Sequence, residues 1–202
     1  MALVNRTDSS GNLFIQNTPQ RNYGGSLTFN GTNQSLTFPQ NSAFNFSTNS
    51  FTIEGWVYFT SNSGNPKPVF AVDTTAYPAI LIQNETGTLK AYATSSSGSW
   101  DILNGLSFGS VSINTWYHYA LVRSGSTFTA YLNGVSINTA TSALAVENQG
   151  GTGRIGASDL GTSWMEGYIT NTRVVNGTAV YTSNFTPSTT PLTAVSGCLL
   201  YT

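Results

Sequence analysis

Charge is what this chain has least of. Asp, Glu, Lys and Arg make up 7% of its 202 residues, against roughly 25% in an ordinary soluble domain. The net charge of −1 comes from scattered single residues, so no basic stripe follows phosphates and no polybasic patch holds a membrane surface. Nucleic acid is therefore excluded as an expected partner. Cysteine is nearly absent too. The single Cys198 rules out an internal disulfide framework and a multi-cysteine metal site, and is expected as a small core hydrophobe in the last strand. A catalytic Cys198–His118 pair is disfavoured, because nothing cationic adjoins the thiol in sequence and His118 falls in an apolar strand. No apolar run approaches the roughly 18 to 20 residues of a membrane-spanning helix, and no membrane insertion is expected. The opening Met1-Ala-Leu-Val-Asn-Arg-Thr-Asp lacks the apolar core of a signal peptide. The expectation is a chain folded in a cytoplasm.

A 3.6-residue period is missing as well, whereas a period of two recurs. In Phe51-Thr-Ile-Glu-Gly-Trp-Val-Tyr-Phe59 the odd positions Phe51, Ile53, Val57 and Phe59 are apolar, the mark of a strand with one buried face. In Trp116-Tyr-His-Tyr-Ala-Leu-Val-Arg123 both faces, Trp116/His118/Ala120/Val122 and Tyr117/Tyr119/Leu121, call for partners, as in an inner strand of a stacked sheet. Asn133-Gly134 is a strong hairpin signal, because both central residues of a type I′ turn need positive φ. A hairpin is predicted between Leu27–Phe29 and Leu36–Phe38, and another between Ala79–Ile82 and Leu89–Ala93. Arg154–Gly156, Gly167–Val175 and Cys198–Tyr201 add strands. The 39% of hydrophobic and 12% of aromatic residues suffice for one sizeable core, and solubility rests on Ser, Thr, Asn and Gly. Many short strands with Gly, Asn and Pro turns predict an all-β jelly-roll sandwich of two antiparallel sheets. Residues 1–24 read as an arm or first strand and 25–202 as a single domain.

The order Leu27-Thr-Phe-Asn-Gly-Thr-Asn33, Phe51-Thr-Ile-Glu-Gly-Trp-Val57, Trp116 to Arg123 with Tyr131-Leu-Asn-Gly-Val135, then Gly167-Tyr-Ile169 and Arg173-Val174 resembles the laminin-G-like branch of the concanavalin A-like lectin/glucanase superfamily, over about residues 25 to 186. The tail Arg173-Val-Val-Asn-Gly-Thr-Ala-Val-Tyr-Thr-Ser-Asn-Phe-Thr-Pro187 is similar to what such domains carry in virion proteins of bacteriophages and other large DNA viruses. The resemblance implies a sandwich used for binding sugars, for protein adhesion and, in some branches, for cleaving glycans. The aromatics Trp56, Trp116, Tyr117 and Tyr119 are expected to pack the sandwich, leaving function to the loops.

Retaining glycan hydrolysis needs two carboxyl groups about 5 Å apart, and the superfamily's glucanases carry Glu-x-Asp-x-x-Glu or a close variant on one strand. Nothing here matches. Glu54, which shares a strand face with Trp56, is the most tempting single acid, and its expected role is a carboxylate bonded within the sandwich or at its surface. No catalytic residue is expected. The family's rim calcium site, built from hard oxygen ligands, has lost the acids the resemblance would supply: Phe29-Asn30-Gly31 stands where Phe-Asp-Gly is common, and Thr170 where an Asp is common. Asn30 and the loop residue Asp159 are the remaining candidate calcium ligands.

Sugar binding needs an aromatic platform and planar polar groups for hydroxyls. Trp100 and Trp164 lie among Ser, Gly and Asp, so Ser97-Gly-Ser-Trp-Asp101 and Asp159-Leu-Gly-Thr-Ser-Trp164 are candidate sugar loops, with Trp100, Asp101, Trp164 and Tyr77 as contact residues. Against this stands the alternative that these rings plug the ends of the sandwich or pack against a subunit. The function expected is a non-enzymatic virion structural or decoration protein that contacts other virion proteins, copies of itself or host-surface glycans. A cellular or secreted carbohydrate-binding lectin or adhesion domain is the alternative, and a glycan hydrolase comes third.

Overall fold

The computed structural model of the chain describes residues 25–39, 42–72, 77–96, 98–147, 152–158 and 163–201. The expected arm and the candidate ligand Asp159 lie outside the described residues. The strands are β1 (Leu27–Asn30), β2 (Leu36–Pro39), β3 (Phe51–Phe59), β4 (Lys67–Val72), β5 (Ile80–Glu85), β6 (Thr88–Ala93), β7 (Leu103–Ser110), β8 (Trp116–Ser124), β9 (Thr127–Leu132), β10 (Val135–Thr141), β11 (Thr152–Ile155), β12 (Glu166–Asn176) and β13 (Cys198–Tyr201), with one 3₁₀ turn at Ser42–Phe44. They form a seven-stranded sheet, ordered β1-β12-β3-β8-β9-β10 with β13 also on β12, and a six-stranded sheet, ordered β2-β11-β4-β5-β6-β7. All pairings are antiparallel. This is the expected all-β sandwich.

The core between the sheets collects the residues that alternation assigns to it. Phe51, Ile53, Val57 and Phe59 of β3, Tyr119 and Leu121 of β8 and Phe29 of β1 share one core with Phe46 and with Phe70, Ile80, Ile82, Leu89 and Phe108 of the six-stranded sheet. Two turns carry the positive φ of a type I′ hairpin, Thr86-Gly87 at +48° and +90° and Asn133-Gly134 at +50° and +79°. Arg123 is a buried cation that pairs with no carboxylate among the described residues. Its guanidinium donates to the carbonyls of Ser47, Gly125, Ser142 and Leu144 and stands 4.8 Å over the Phe128 ring, so carbonyl dipoles replace the water it loses.

Three expectations are corrected. Leu27–Phe29 and Leu36–Phe38 do not form a hairpin. β1 pairs with β12 and β2 with β11, in different sheets. Alternation correctly sends Phe29, Leu36 and Phe38 inward, but it cannot say whether two core-facing strands are neighbours or face each other across the core. The link between them turns sharply, with Gly31 at φ +76°. Cys198 does lie in the last strand, yet half-buried rather than in the core. Of the four packing aromatics, Trp56 and Tyr119 are buried and Tyr117 packs against the core, whereas Trp116 is half-buried on the outer face of its sheet.

The outer face of the seven-stranded sheet is partly roofed. After β12 the chain turns back at Gly177, whose N–H donates to the Ser50 carbonyl, and residues 178–185 lie across β3, β8 and β9. Thr52 Oγ1 donates to the Thr178 carbonyl and accepts from the Val180 N–H. Ala179, Tyr181 and Phe185 close a small second core over Ala120, Val122 and Tyr131. The strap ends on the Asn133-Gly134 turn, where the Phe185 N–H donates to the Gly134 carbonyl at 2.9 Å. This roof gives the second apolar face of β8 its partner.

Candidate functional site

Two carboxylates organise the outer faces of the two sheets. On the six-stranded sheet, β5 and β6 alternate cleanly: Leu89, Ala91 and Ala93 are buried while Thr88, Lys90 and Tyr92 are half-buried on the outer side. Register sets Gln83 opposite Lys90 and Glu85 opposite Thr88. Glu85 accepts three hydrogen bonds, from Gln83 Nε2 at 2.7 Å, Lys90 Nζ at 2.8 Å and the Tyr92 hydroxyl at 2.6 Å. Burial alone would raise the Glu85 pKa, but hydrogen bonds from Lys90, Tyr92 and Gln83 outweigh it and hold it below the usual carboxylate range. Burial and the Glu85 carboxylate push the Tyr92 hydroxyl upward, so it remains a donor.

Tyr92 leads into an aromatic corner. Its ring centroid is 5.1 Å from that of Trp100, which in turn stands 5.0 Å from Tyr77 at an interplanar angle of 87°. Tyr77 precedes β5 and Trp100 precedes β7, so the corner sits where β5 begins and β6 ends. All three rings are half-buried. Gly105 of β7, beside the Tyr92 hydroxyl, takes φ +82°, a left-handed conformation that favours glycine.

The structure thus brings Tyr77 and Trp100 together. Asp101 adjoins them and braces their loop: its carboxylate accepts from the Ser95 N–H at 2.8 Å and from the Ser95 hydroxyl at 2.5 Å. Trp164 is elsewhere. It forms an isolated bridge with Ala157, just beyond β11; since Ile155 pairs with Phe70 and Gly153 with Val72, Trp164 lies toward the Lys67 end of the sheet, opposite the corner. Tyr92, Glu85, Lys90 and Gln83 were not singled out by sequence. The alternation Leu89/Ala91/Ala93 against Lys90/Tyr92 carried the signal that could have found them.

On the seven-stranded sheet the second carboxylate, Glu54, lies beneath the strap with none of its surface exposed. Arg173 donates to Glu54 Oε1 from Nε at 2.8 Å and from an Nη at 2.5 Å. The Tyr181 hydroxyl donates to Oε2 at 2.8 Å, and His118 Nε2 lies 3.2 Å from the same oxygen. His118 is buried between Trp56 and Phe185, edge-on to both. Burial would raise the Glu54 pKa, but the hydrogen bond and charge of His118, together with those of Arg173, hold it below the usual value. This is the bonded carboxylate expected of Glu54.

Asn30 does not present a free ligand for calcium. Its Oδ1 accepts from the N–H groups of Thr32 and Asn33, an Asx turn. Glu166, opposite it in register, pairs with Lys67 at 3.5 Å. Among the described residues no group of three or more His, Cys, Asp or Glu side chains converges. Among the described residues the Asn30 Oδ1 is thus engaged within its own turn, and no carboxylate cluster adjoins it.

Comparison with known proteins agrees with this architecture. Among curated proteins none matches the chain in sequence. Among solved structures, a Bacteroides ovatus protein whose carbohydrate-binding assignment is itself an inference aligns with a TM-score of 0.64 at 15% identity, covering 87% of this chain and 50% of that one. The present chain thus spans half the length of that protein. Domains LG4-5 of the mouse laminin α1 chain align at 0.56 and 11% identity, over 81% of this chain and 47% of that one. Domain 4 of an extracellular arabinanase from Geobacillus stearothermophilus, solved with arabinotriose, aligns at 0.53 and 16%, over 77% and 72%. At such identities these likenesses establish the fold. Residues 30–192 match the laminin-G type family model described as Concanavalin A-like lectin/glucanases superfamily, and the chain belongs to that family.

Proposed function

We propose that this domain binds carbohydrate without cleaving it, through the corner formed by Trp100, Tyr77 and Tyr92 and the adjoining Glu85, Lys90 and Gln83. The observation that carries this reading is the juxtaposition of half-exposed rings with a fixed amide, ammonium and carboxylate on one sheet face. Rings offer a surface to the C–H face of a sugar, and the planar polar groups are oriented in advance for its hydroxyls. The perpendicular setting of Tyr77 and Trp100 suits a single soluble chain or chain end rather than a flat crystalline surface, which coplanar rings would match. The non-enzymatic part of the proposal is supported by Glu54, whose oxygens are engaged by Arg173, Tyr181 and His118 beneath a roof. Similarity in fold to domains associated with carbohydrate supports the ligand class.

Native electrophoresis through gels containing soluble arabinan, xylan or mixed-linkage β-glucan tests this. Retardation is expected with at least one polymer, and Trp100→Ala should weaken it roughly tenfold, the loss of one stacking contact. Migration unchanged in every polymer, or retardation equal in wild type and Trp100→Ala, would sink the proposal. Residence on a virus particle is a narrower proposal. It rests on the resemblance of Arg173–Pro187 to virion domains, and absence of the protein from purified particles by mass spectrometry would end it.

A further inference from the structure

Among the described residues the strap covers only part of the seven-stranded face, and the part beyond it is aromatic. Register places Thr28, Tyr168, Tyr58 and Trp116 side by side across β1, β12, β3 and β8. The Tyr58 ring is central, with its centroid 5.5 Å from that of Trp116 and 5.5 Å from that of Tyr168. All three rings are half-buried, with surface still open to solvent. The Tyr58 hydroxyl donates to Asn114 Oδ1 at 3.3 Å, and exposed Thr60 and Asn114 continue the polar margin beyond β3 and before β8. On the other side the next row is Thr170, Trp56 and His118, where the Phe185 ring of the strap begins the roof.

We propose that this row is a second carbohydrate site, separate from the Trp100 corner and on the opposite sheet, and that it takes a neutral pyranose chain lying across the strands. Neighbouring strands are about 4.8 Å apart, so each step along the row presents a new ring at close to the length of one sugar unit. The rings are tilted by 54° and 68° to one another, so the chain that follows them is a twisted one. The row itself holds no Asp, Glu, Lys or Arg, and the carboxylate at its margin, Glu166 beside Thr60, is paired with Lys67 at 3.5 Å, so the rings suit a neutral sugar and an anionic one gains nothing there. Exposed hydroxyl and amide groups at Thr60 and Asn114 flank the rings, the polar partners that sugar hydroxyls need. A stable protein partner would cover about 800 Å² per side, much more than three half-buried rings offer. With two sites facing opposite ways, one domain would bridge two chains and gain avidity on a polymer.

The four tryptophans allow the sites to be read separately. Indole N–H resonances of ¹⁵N-labelled protein are followed during titration with xylohexaose, cellohexaose and laminarihexaose, with Trp100→Phe and Trp116→Phe providing assignments. Saturable movement of the Trp116 resonance is expected with at least one probe and should persist in Trp100→Ala. Tyr168→Ala should weaken it roughly tenfold while Tyr168→Phe keeps it, as expected for a stacking ring. A Trp116 resonance unmoved by all three sugars, movement indifferent to Tyr168→Ala, or movement produced by raising protein concentration alone, which would mean a second copy on this face, overturns the proposal. If the Trp116 response stands and the Trp100 resonance never moves, the corner reading fails and this one survives.

Discussion

Glu54 and Glu85 are the same device in two settings. Each carboxylate holds one cation, one tyrosine hydroxyl and one further nitrogen: Arg173, Tyr181 and His118 for Glu54, and Lys90, Tyr92 and Gln83 for Glu85. The Glu54 side chain is fully enclosed by the strap, whereas that of Glu85 keeps 23% of its surface exposed. Enclosure turns such a cluster into a fastener between distant parts of the chain. Glu54 and Arg173 are 119 residues apart in sequence, while Glu85, Lys90 and Tyr92 belong to one hairpin. Exposure leaves the other cluster ordered yet accessible, which is what a binding surface needs.

The contrast can be broken most severely at Glu54. Glu54→Gln keeps the shape but strands the Arg173 guanidinium, and breaking a buried pair in this way costs about 3 to 5 kcal/mol, to be read as a fall in the urea midpoint. Acid should expose the same asymmetry. The folded pKa of Glu54 lies below its ordinary 4.5, so the unfolded chain binds more protons below that pH. Its contribution is complete above 4.5 and drains away as pH falls toward the folded value. Urea titrations from pH 6 downward should show this loss in wild type and a shallower slope in Glu54→Gln; equal slopes would remove Glu54 as the cause. Unfastening the strap at its far end should cost less. A Cβ at Gly134 would lie 1.9 Å from the Phe185 carbonyl oxygen, at φ +79°, so Gly134→Ala is expected to lose about 2 kcal/mol and to bring Phe185 backbone exchange up in hydrogen-exchange experiments. The smallest effect belongs to Glu85→Gln, at most about 1 kcal/mol of stability, as for partly exposed pairs. A loss near that of Glu54→Gln would show the two clusters to be equivalent after all.

Sequence legibility followed the reach of each signal. Period-two alternation placed Phe51, Ile53, Val57 and Phe59 in the core, and Asn133-Gly134 announced its turn through local backbone chemistry alone. Pairing partners were less legible, as β1 and β2 show, because an alternating strand carries no mark of which neighbour it joins. Trp100 stood out by its polar surroundings, and the structure sets it against Tyr77, a weaker candidate. Trp164 looked alike by composition but was carried to the other end of the sheet by the register of β11. The strap was hidden, because Tyr181 and Phe185 lie in a stretch without strand periodicity and find their positions only through β3, β8 and the Gly134 turn.

β12 has a further consequence for the chain as a whole. One of its edges pairs with β3, and the other is shared by β1, which covers residues 166–169, and β13, which covers 173–175. Both run antiparallel to β12, so β13 followed by β1 makes one interrupted edge strand. Tyr201, opposite Arg173, and Leu27, opposite Ile169, are separated by the three residues 170–172 of β12, which bulge there, so the gap is less than the ~13 Å that four extended steps would span. A circular permutant that joins them through a short polar linker, and opens the chain at an exposed turn such as Ser124–Thr127, would preserve the strand pairings among the described residues. The same closeness lets this sandwich be inserted as a unit into a loop of another protein, entering and leaving at nearly one point.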